Sequence, residues 1–254
     1  MHDESWKRIF EFNKIDKHNF DEAPYILTSV AIKAAVQDFK KTGEKEVRIL
    51  CKQDTRASRP AVFVQNNLFL LPIKNGVYII TKGEGYIDIP EINKTEDVYI
   101  SKLDFELDSS KIGNSEMQHL DFAYASSLIR EFMGDSSLVL TIRGRKYTPT
   151  FDFKLQNHAV HVESVQTEVD AGYEGRDKIV LIEAKNTLIT NVIIRQFYYP
   201  FRQWQAITRK KVVSLLFMKV HDTYALWEYE FTDSENYNSI RLVKSNKYYI
   251  NRKG

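Results

Sequence analysis

A mixed α/β (α+β) chain in two parts is predicted from three observations. Apolar residues recur at helical spacing in 24–41 and 115–134. Short apolar runs of strand length, separated by turn signals, fill much of the rest. The second part alternates helix, strands, helix and strands. A chain of 254 residues suits one large or two modest domains and can bury a core unaided. With 43% hydrophobic and 28% charged residues, a disordered acidic tail and a collagen-like fibre are excluded. No apolar run approaches about 18 residues, so no membrane span is expected. The opening MHDESWKRIF lacks an apolar signal core. Cys51 is the only cysteine, which suits a reducing cytoplasm and rules out an intrachain disulfide or a thiolate zinc cluster.

Residues 1–20 read as a polar, partly helical lead. Pro24 and Gly43 bracket a predicted helix over 24–41, with Ile26, Val30, Ala34 and Phe39 as its stripe. Strands are predicted at 47–51, 61–64, 68–72 and 77–82, broken by Arg59-Pro60, Asn66-Asn67 and Asn75-Gly76. The polar segment 107–114 marks a boundary, giving a helix-plus-small-sheet module over 1–110 and a second domain over 111–254. Ser115 and Gln118 form a capping-box signal. Met117, Leu120, Tyr124, Leu128 and Phe132 then mark one helix running to Gly134. Strands follow at 138–143, 150–155, 159–163, 166–170 and 178–184. A helix over 191–204, interrupted near Pro200, precedes strands at 212–220, 224–231 and 239–250.

The segment QTEVDAGYEGRDKIVLIEAKN, 166–186, carries the chemistry. A hairpin register that sets Asp170 opposite Glu183 also sets Glu168 opposite Lys185. Residues two apart on a strand share a face, so the four side chains would converge. The other register would separate them. Two close carboxylates repel unless a cation lies between them. A hard divalent cation is held by one or two carboxylates and keeps positions for water and phosphate oxygens. A neighbouring lysine orients the attacking water and stabilises charge on the phosphate. Ending an apolar strand in Glu-Ala-Lys puts charge at the rim of a core, a cost unless paired or used. The alternative is an exposed hairpin with a surface Glu–Lys pair of little energetic weight.

Asp170, twelve intervening residues and then Glu183-Ala184-Lys185 after an apolar strand resemble the PD-(D/E)xK nuclease superfamily. The flanking helices resemble its α-β-β-β-α-β core, a mixed central sheet flanked by helices. Val169 stands where the name-giving proline would be. The runs EVDAGYEG, VLIEAKN and RQFYYPFRQW are similar to sequences among its type II restriction endonucleases. The resemblance implies that Asp170 and Glu183 bind Mg²⁺, with Mn²⁺ as a substitute, and that Lys185 supports the nucleophile. It also implies a metal contact from the Ala184 backbone carbonyl, and an acid from the first core helix, Glu116 or Glu131. Glu168 is either a direct or water-mediated ligand or a neighbour on the same face. The implied protein is a cytoplasmic homodimer acting on double-stranded DNA, leaving 5′-phosphate and 3′-hydroxyl ends. A repair or structure-selective nuclease with the same core, or a noncatalytic DNA-binding protein, is the alternative.

Other residues are weaker candidates. Asp152 is the rival first acid. His161 and Glu163 could share a strand face, but His158 and His161 cannot. The polar loop 52–60 offers Lys52, Gln53, Arg56 and Arg59 as DNA contacts outside the core, against an ordinary solvated loop. From Lys185 to His221 there is no acid, although 34 acids in 254 residues would put about five there. A one-signed face suits a polyanion and makes Arg195, Arg202 and Arg209 DNA candidates, with Gln196 pointing toward the site. The basic tail 244–253 is a further phosphate-contact candidate, or simply solvated.

Overall fold

The computed structural model describes residues 2–251. Residues 252 and 253 of the basic tail lie outside the described residues. The amino-terminal part contains α1 (Asp3–Phe12), β1 (Tyr25–Thr28), α2 (Ser29–Ala35), α3 (Thr42–Lys45), α4 (Val47–Leu50), α5 (Ala61–Gln65), β2 (Leu68–Lys74) and β3 (Val77–Lys82). The antiparallel sheet β1-β3-β2 has two apolar faces. Leu68, Leu70 and Ile80 pack against Trp6, Ile9 and Phe63 of the helices. The alternate residues Phe69, Leu71 and Ile79 join the core of the second part. A strand buried on both faces should read as unbroken apolar sequence, as Leu68–Leu71 does.

Three expected elements took other forms. The start of the expected helix at 24–41 is strand β1, paired from Tyr25↔Ile80 to Thr28↔Val77. The Thr28 side chain then accepts the Ala31 N–H at 3.1 Å and starts α2 as its N-cap. The runs at 47–51 and 61–64 are helical turns, not strands. Apolar runs of four or five residues have too little length for periodicity to separate the two. Val47 and Leu50, three apart, are the buried pair of α4. The α5 turn starts at Pro60, and Asp3 accepts the Ala61 N–H at 2.6 Å.

The remaining elements are β4 (Tyr86–Asp88), β5 (Asp97–Ile100), α6 (Glu116–Ala125), α7 (Leu128–Met133), β6 (Val139–Tyr147), β7 (Phe151–Leu155), β8 (His158–Val162), β9 (Gln166–Glu174) and β10 (Lys178–Lys185), then β11 (Asn191–Ile193), α8 (Arg195–Gln205), β12 (Lys211–Val220), β13 (Thr223–Phe231) and β14 (Ile240–Asn251). The expected long helix over 115–134 is two helices, because Ser127 takes a left-handed φ of 70° between them. Its start is as expected, with Ser115 accepting the Gln118 N–H. Extended β11, bearing buried Val192 and Ile193, replaces the first turns of the expected helix at 191–204. Pro200 does not interrupt α8. Its missing N–H removes only the bond a residue there would make to the Gln196 carbonyl.

A seven-stranded mixed sheet organises this part, in the order β5-β14-β13-β12-β10-β9-β6. β6, β9 and β10 are successive antiparallel neighbours. α8 then carries the chain over to β12, which lies parallel to β10. Residues of β10 alternate between two cores. Val180, Ile182 and Ala184 pack under α6 and α7 with Leu120 and Ile129. Ile179 and Leu181 face Tyr198 and Tyr199 of α8. β4 and β5 lie before the expected boundary at 110/111 yet pair with β11 and β14. Among the described residues, no helix is long and apolar enough to cross a membrane.

Candidate functional site

The last bonded pair of the β9–β10 ladder is Ile182↔Ala171. One further step along that register sets Glu183 across from Asp170, where the two β runs emerge from the core. The Asp170 carboxylate accepts the backbone N–H of Ala184 at 2.7 Å, holding it against β10. Glu183 Oε1 accepts from Lys185 Nζ at 2.5 Å and from Gln196 Nε2 at 2.6 Å. Gln196 is in the first turn of α8, so the helix that covers β10 also clasps its carboxylate. The side chains of Glu183 and Lys185 are only 11% and 17% exposed.

Lys185 is the cation bonded to Glu183 at this pair of buried acids. Burial pushes the Glu183 carboxyl up to about 7; Lys185 opposes the shift, while Asp170 and Asp54 add to it. Burial likewise raises Asp170, against the Ala184 N–H and Lys185, with Glu116 and Glu168 adding repulsion. Burial alone would lower Lys185, but Glu183 first, then Glu116 and Asp170, hold it above its ordinary value. A cation relieves such an arrangement. Among the described residues no three His, Cys, Asp or Glu side chains converge as a ready metal cage. A hard cation such as Mg²⁺ asks for less, one or two carboxylates with the rest water or substrate oxygen. Asp170 and Glu183 fit that requirement.

Asp170, Glu183 and Lys185 line a cleft of about 600 Å³ together with Glu116, Gln196 and Arg195. Glu116, the first residue of α6, is the helix acid that reaches this cleft. Glu131 instead holds Lys102 at 3.0 Å. Glu168 stands at the rim, more than half exposed, in an ion pair with Arg145 at 3.2 Å. Asp152, the rival acid, is on β7 and bonds His161 at 2.7 Å on the exposed face of the β7–β8 hairpin.

The opposite wall of the cleft comes from the amino-terminal part through Lys52, Gln53, Asp54 and Tyr78. Asp54 pairs with Arg195 at 3.7 Å, and its carbonyl accepts the Ile193 N–H at 2.9 Å. Asn191 accepts the Arg56 N–H at 2.7 Å. The loop is thereby tied to the segment joining β10 to α8. Asp54 was not among the expected site residues; only the folded chain places it near Glu183. Lys52 is exposed beside Asp54, and Gln53 is 2% exposed.

Several basic residues expected on DNA hold internal partners. Arg56 pairs with Asp88 and Glu84, and Arg59 donates to the Leu68 carbonyl at 3.1 Å. Four cations of the acid-free stretch have acids from elsewhere: Lys185 with Glu183, Arg195 with Asp54, Lys210 with Glu174 and Lys211 with Glu230. Arg209 is exposed after α8. Arg202 donates to the Asp152 and Ser234 carbonyls at 3.0 and 2.7 Å and lies 4.7 Å from the Phe151 ring centre. Arg202→Ala should therefore cost about 1–3 kcal/mol of stability and leave the salt dependence of any DNA affinity unchanged. Urea unfolding and binding isotherms over a salt series check both; a shallower salt slope at full stability would put Arg202 on phosphate instead.

A second expectation concerns pH without metal. Glu183 binds its proton more tightly folded than unfolded. Between the ordinary carboxylate value, about 4.3, and about 7, the folded state holds the extra proton, so stability falls as pH rises. Glu183→Gln removes that penalty. In EDTA it should raise the thermal midpoint relative to the parent more at pH 8 than at pH 4.5. An equal shift at both pH values would contradict the buried-acid description.

The chain belongs to the family described as Domain of unknown function (DUF6997), which matches residues 81–249 and so includes Glu116, Asp170, Glu183, Lys185 and Gln196. A second, described as Domain of unknown function (DUF6996), matches residues 3–80 and includes Gln53 and Asp54. No curated protein and no solved structure matches the chain.

Proposed function

We propose that this chain is a Mg²⁺-dependent endonuclease of the PD-(D/E)xK type that hydrolyses double-stranded DNA at a short specific sequence, as type II restriction enzymes do. One observation carries the reading. Asp170 and Glu183 meet on neighbouring strands at the mouth of a cleft, and Lys185, two residues on, bonds the second of them. The order helix, three antiparallel strands, helix and parallel strand around that point supports it further.

In this reading Asp170 and Glu183 hold the cation, which when bound supplies Lewis acidity toward a phosphate oxygen. Glu183 would hold the cation as its carboxylate, because a nearby positive charge favours the ionised form against burial. Lys185, held by Glu183 at 2.5 Å, would place its ammonium beside the attacking water and the phosphate. Gln196 Nε2 keeps Glu183 oriented. Water attack on phosphorus breaks the P–O3′ bond and leaves a 5′-phosphate and a 3′-hydroxyl. A homodimer on a palindromic site, in the cytoplasm, completes the proposal.

The test is sequencing the termini formed when a plasmid is incubated with the protein and Mg²⁺. Ends sharing one short sequence and bearing 5′-phosphates support the reading. Scattered ends would reassign the protein to nonspecific or repair nucleases. Retarded but uncut DNA would make it a noncatalytic binder.

A further inference from the structure

Both amide atoms of Gln53 are buried without a hydrogen-bond partner, and so is Oε1 of Gln196; both residues line the same cleft. Buried polar groups are nearly always paired, so an amide with both ends open asks what it is kept for. Gln53 is not loosely placed. Its backbone carbonyl accepts the Tyr86 hydroxyl at 3.0 Å, and the backbone carbonyl of the next residue accepts the Ile193 N–H. A fixed amide with its donor and acceptor unused is organised for a ligand that brings both complements in one plane.

The chemistry of that ligand follows from the amide. A phosphate offers acceptors only and would leave Oε1 unmatched. A nucleobase edge with an acceptor beside a donor satisfies both ends, and the N7 and N6 groups of adenine are that pair. The position agrees. Gln53 lines the same cleft as Asp170 and Glu183, so the ligand would sit close to the phosphodiester at the acids.

We propose that Gln53 is the residue through which the amino-terminal part reads a nucleobase, adenine by its N6/N7 edge, beside the phosphodiester held over Asp170 and Glu183. The inference rests on the nuclease reading and deepens it. It makes the amino-terminal part a wall of the active cleft that sets specificity.

The experiment uses the full-length protein, its Gln53→Leu variant, which keeps volume but has no polar ends, and its Gln53→Glu variant, which keeps shape but loses the donor. Each is incubated with Mg²⁺ and a pool of duplexes randomised over a short central window, and the cut ends are sequenced. The parent should show adenine at one position. Both variants should lose that preference by about 10- to 100-fold, keep the other positions, and cut the parent's preferred duplex more slowly. Gln53→Leu should melt no lower than the parent, because it removes unpartnered polar atoms. Parent cleavage with an unchanged base profile in both variants would overturn the role of Gln53 alone. So would a uniform loss at all positions with a lowered melting point, which marks a packing residue. A parent that neither cuts the pool nor retains any duplex would overturn the nuclease reading, and this inference with it.

Discussion

Lys185→Ala should slow single-turnover DNA cleavage about 10²-fold or more, the loss expected when a preorganised donor to a developing charge is removed. The ammonium is 17% exposed, held by Glu183 at 2.5 Å, and kept charged by three acids against the pull of burial. Such a group is oriented before substrate arrives, so its contribution needs no reorganisation during the reaction. Metal affinity should change far less, since lysine is not a ligand. Lys185→Arg should restore little, because a planar fork cannot occupy the place of a compact ammonium between Glu183 and the cleft. The measurement is cleavage with enzyme in excess over a cut duplex across a Mg²⁺ titration. A variant that reaches the parent rate at saturating Mg²⁺ would show that Lys185 acts on metal or DNA binding. A variant with no change at all would remove the main support for catalysis here.

The second large effect is at the acids. Asp170→Asn and Glu183→Gln each remove one negative ligand and almost no volume. Losing a cation that stabilises the transition state by several kcal/mol should lower the rate by about 10³-fold or more. DNA binding should remain measurable and, in EDTA, should tighten, because a carboxylate facing phosphate has been neutralised. Asp170→Asn has one further consequence. The amide can no longer accept the Ala184 N–H as a charged oxygen does, so part of its effect comes from a loosened β10 end. Glu183→Gln has no such tie to the backbone, and comparing the two separates ligand loss from strand placement. Near-parent turnover by both variants would refute the assignment.

The strands that build the site were legible because their apolar runs are long and bounded by turns. The register that opposes Asp170 and Glu183 was one of two that the spacing left open, and the β9–β10 ladder takes it. The short runs at 47–51 and 61–64 were not legible, since a buried pair three residues apart looks like a strand fragment. Strand β1 was hidden by a helical stripe that its pairing with β3 overrode. The far wall of the cleft carried no signal that spacing could detect. Gln53 and Asp54 reach the cleft lined by Glu183 through bonds from Ile193, Asn191, Arg195 and Tyr86, which join distant parts of the chain. Charge patterning misled in one respect. The acid-free stretch suggested a one-signed face, but Glu174 and Glu230 come from neighbouring strands to meet Lys210 and Lys211.

The most direct measurement of the central claim is conversion of supercoiled plasmid by the parent and by Asp170→Asn, purified side by side, in Mg²⁺ and in EDTA. Parent protein in Mg²⁺ should yield open-circular and linear DNA, with none formed in EDTA and none by the variant. Cutting by the variant at the parent rate, or by the parent in EDTA, would contradict the assignment of Asp170 and Glu183 as a metal-dependent DNA-hydrolysing centre.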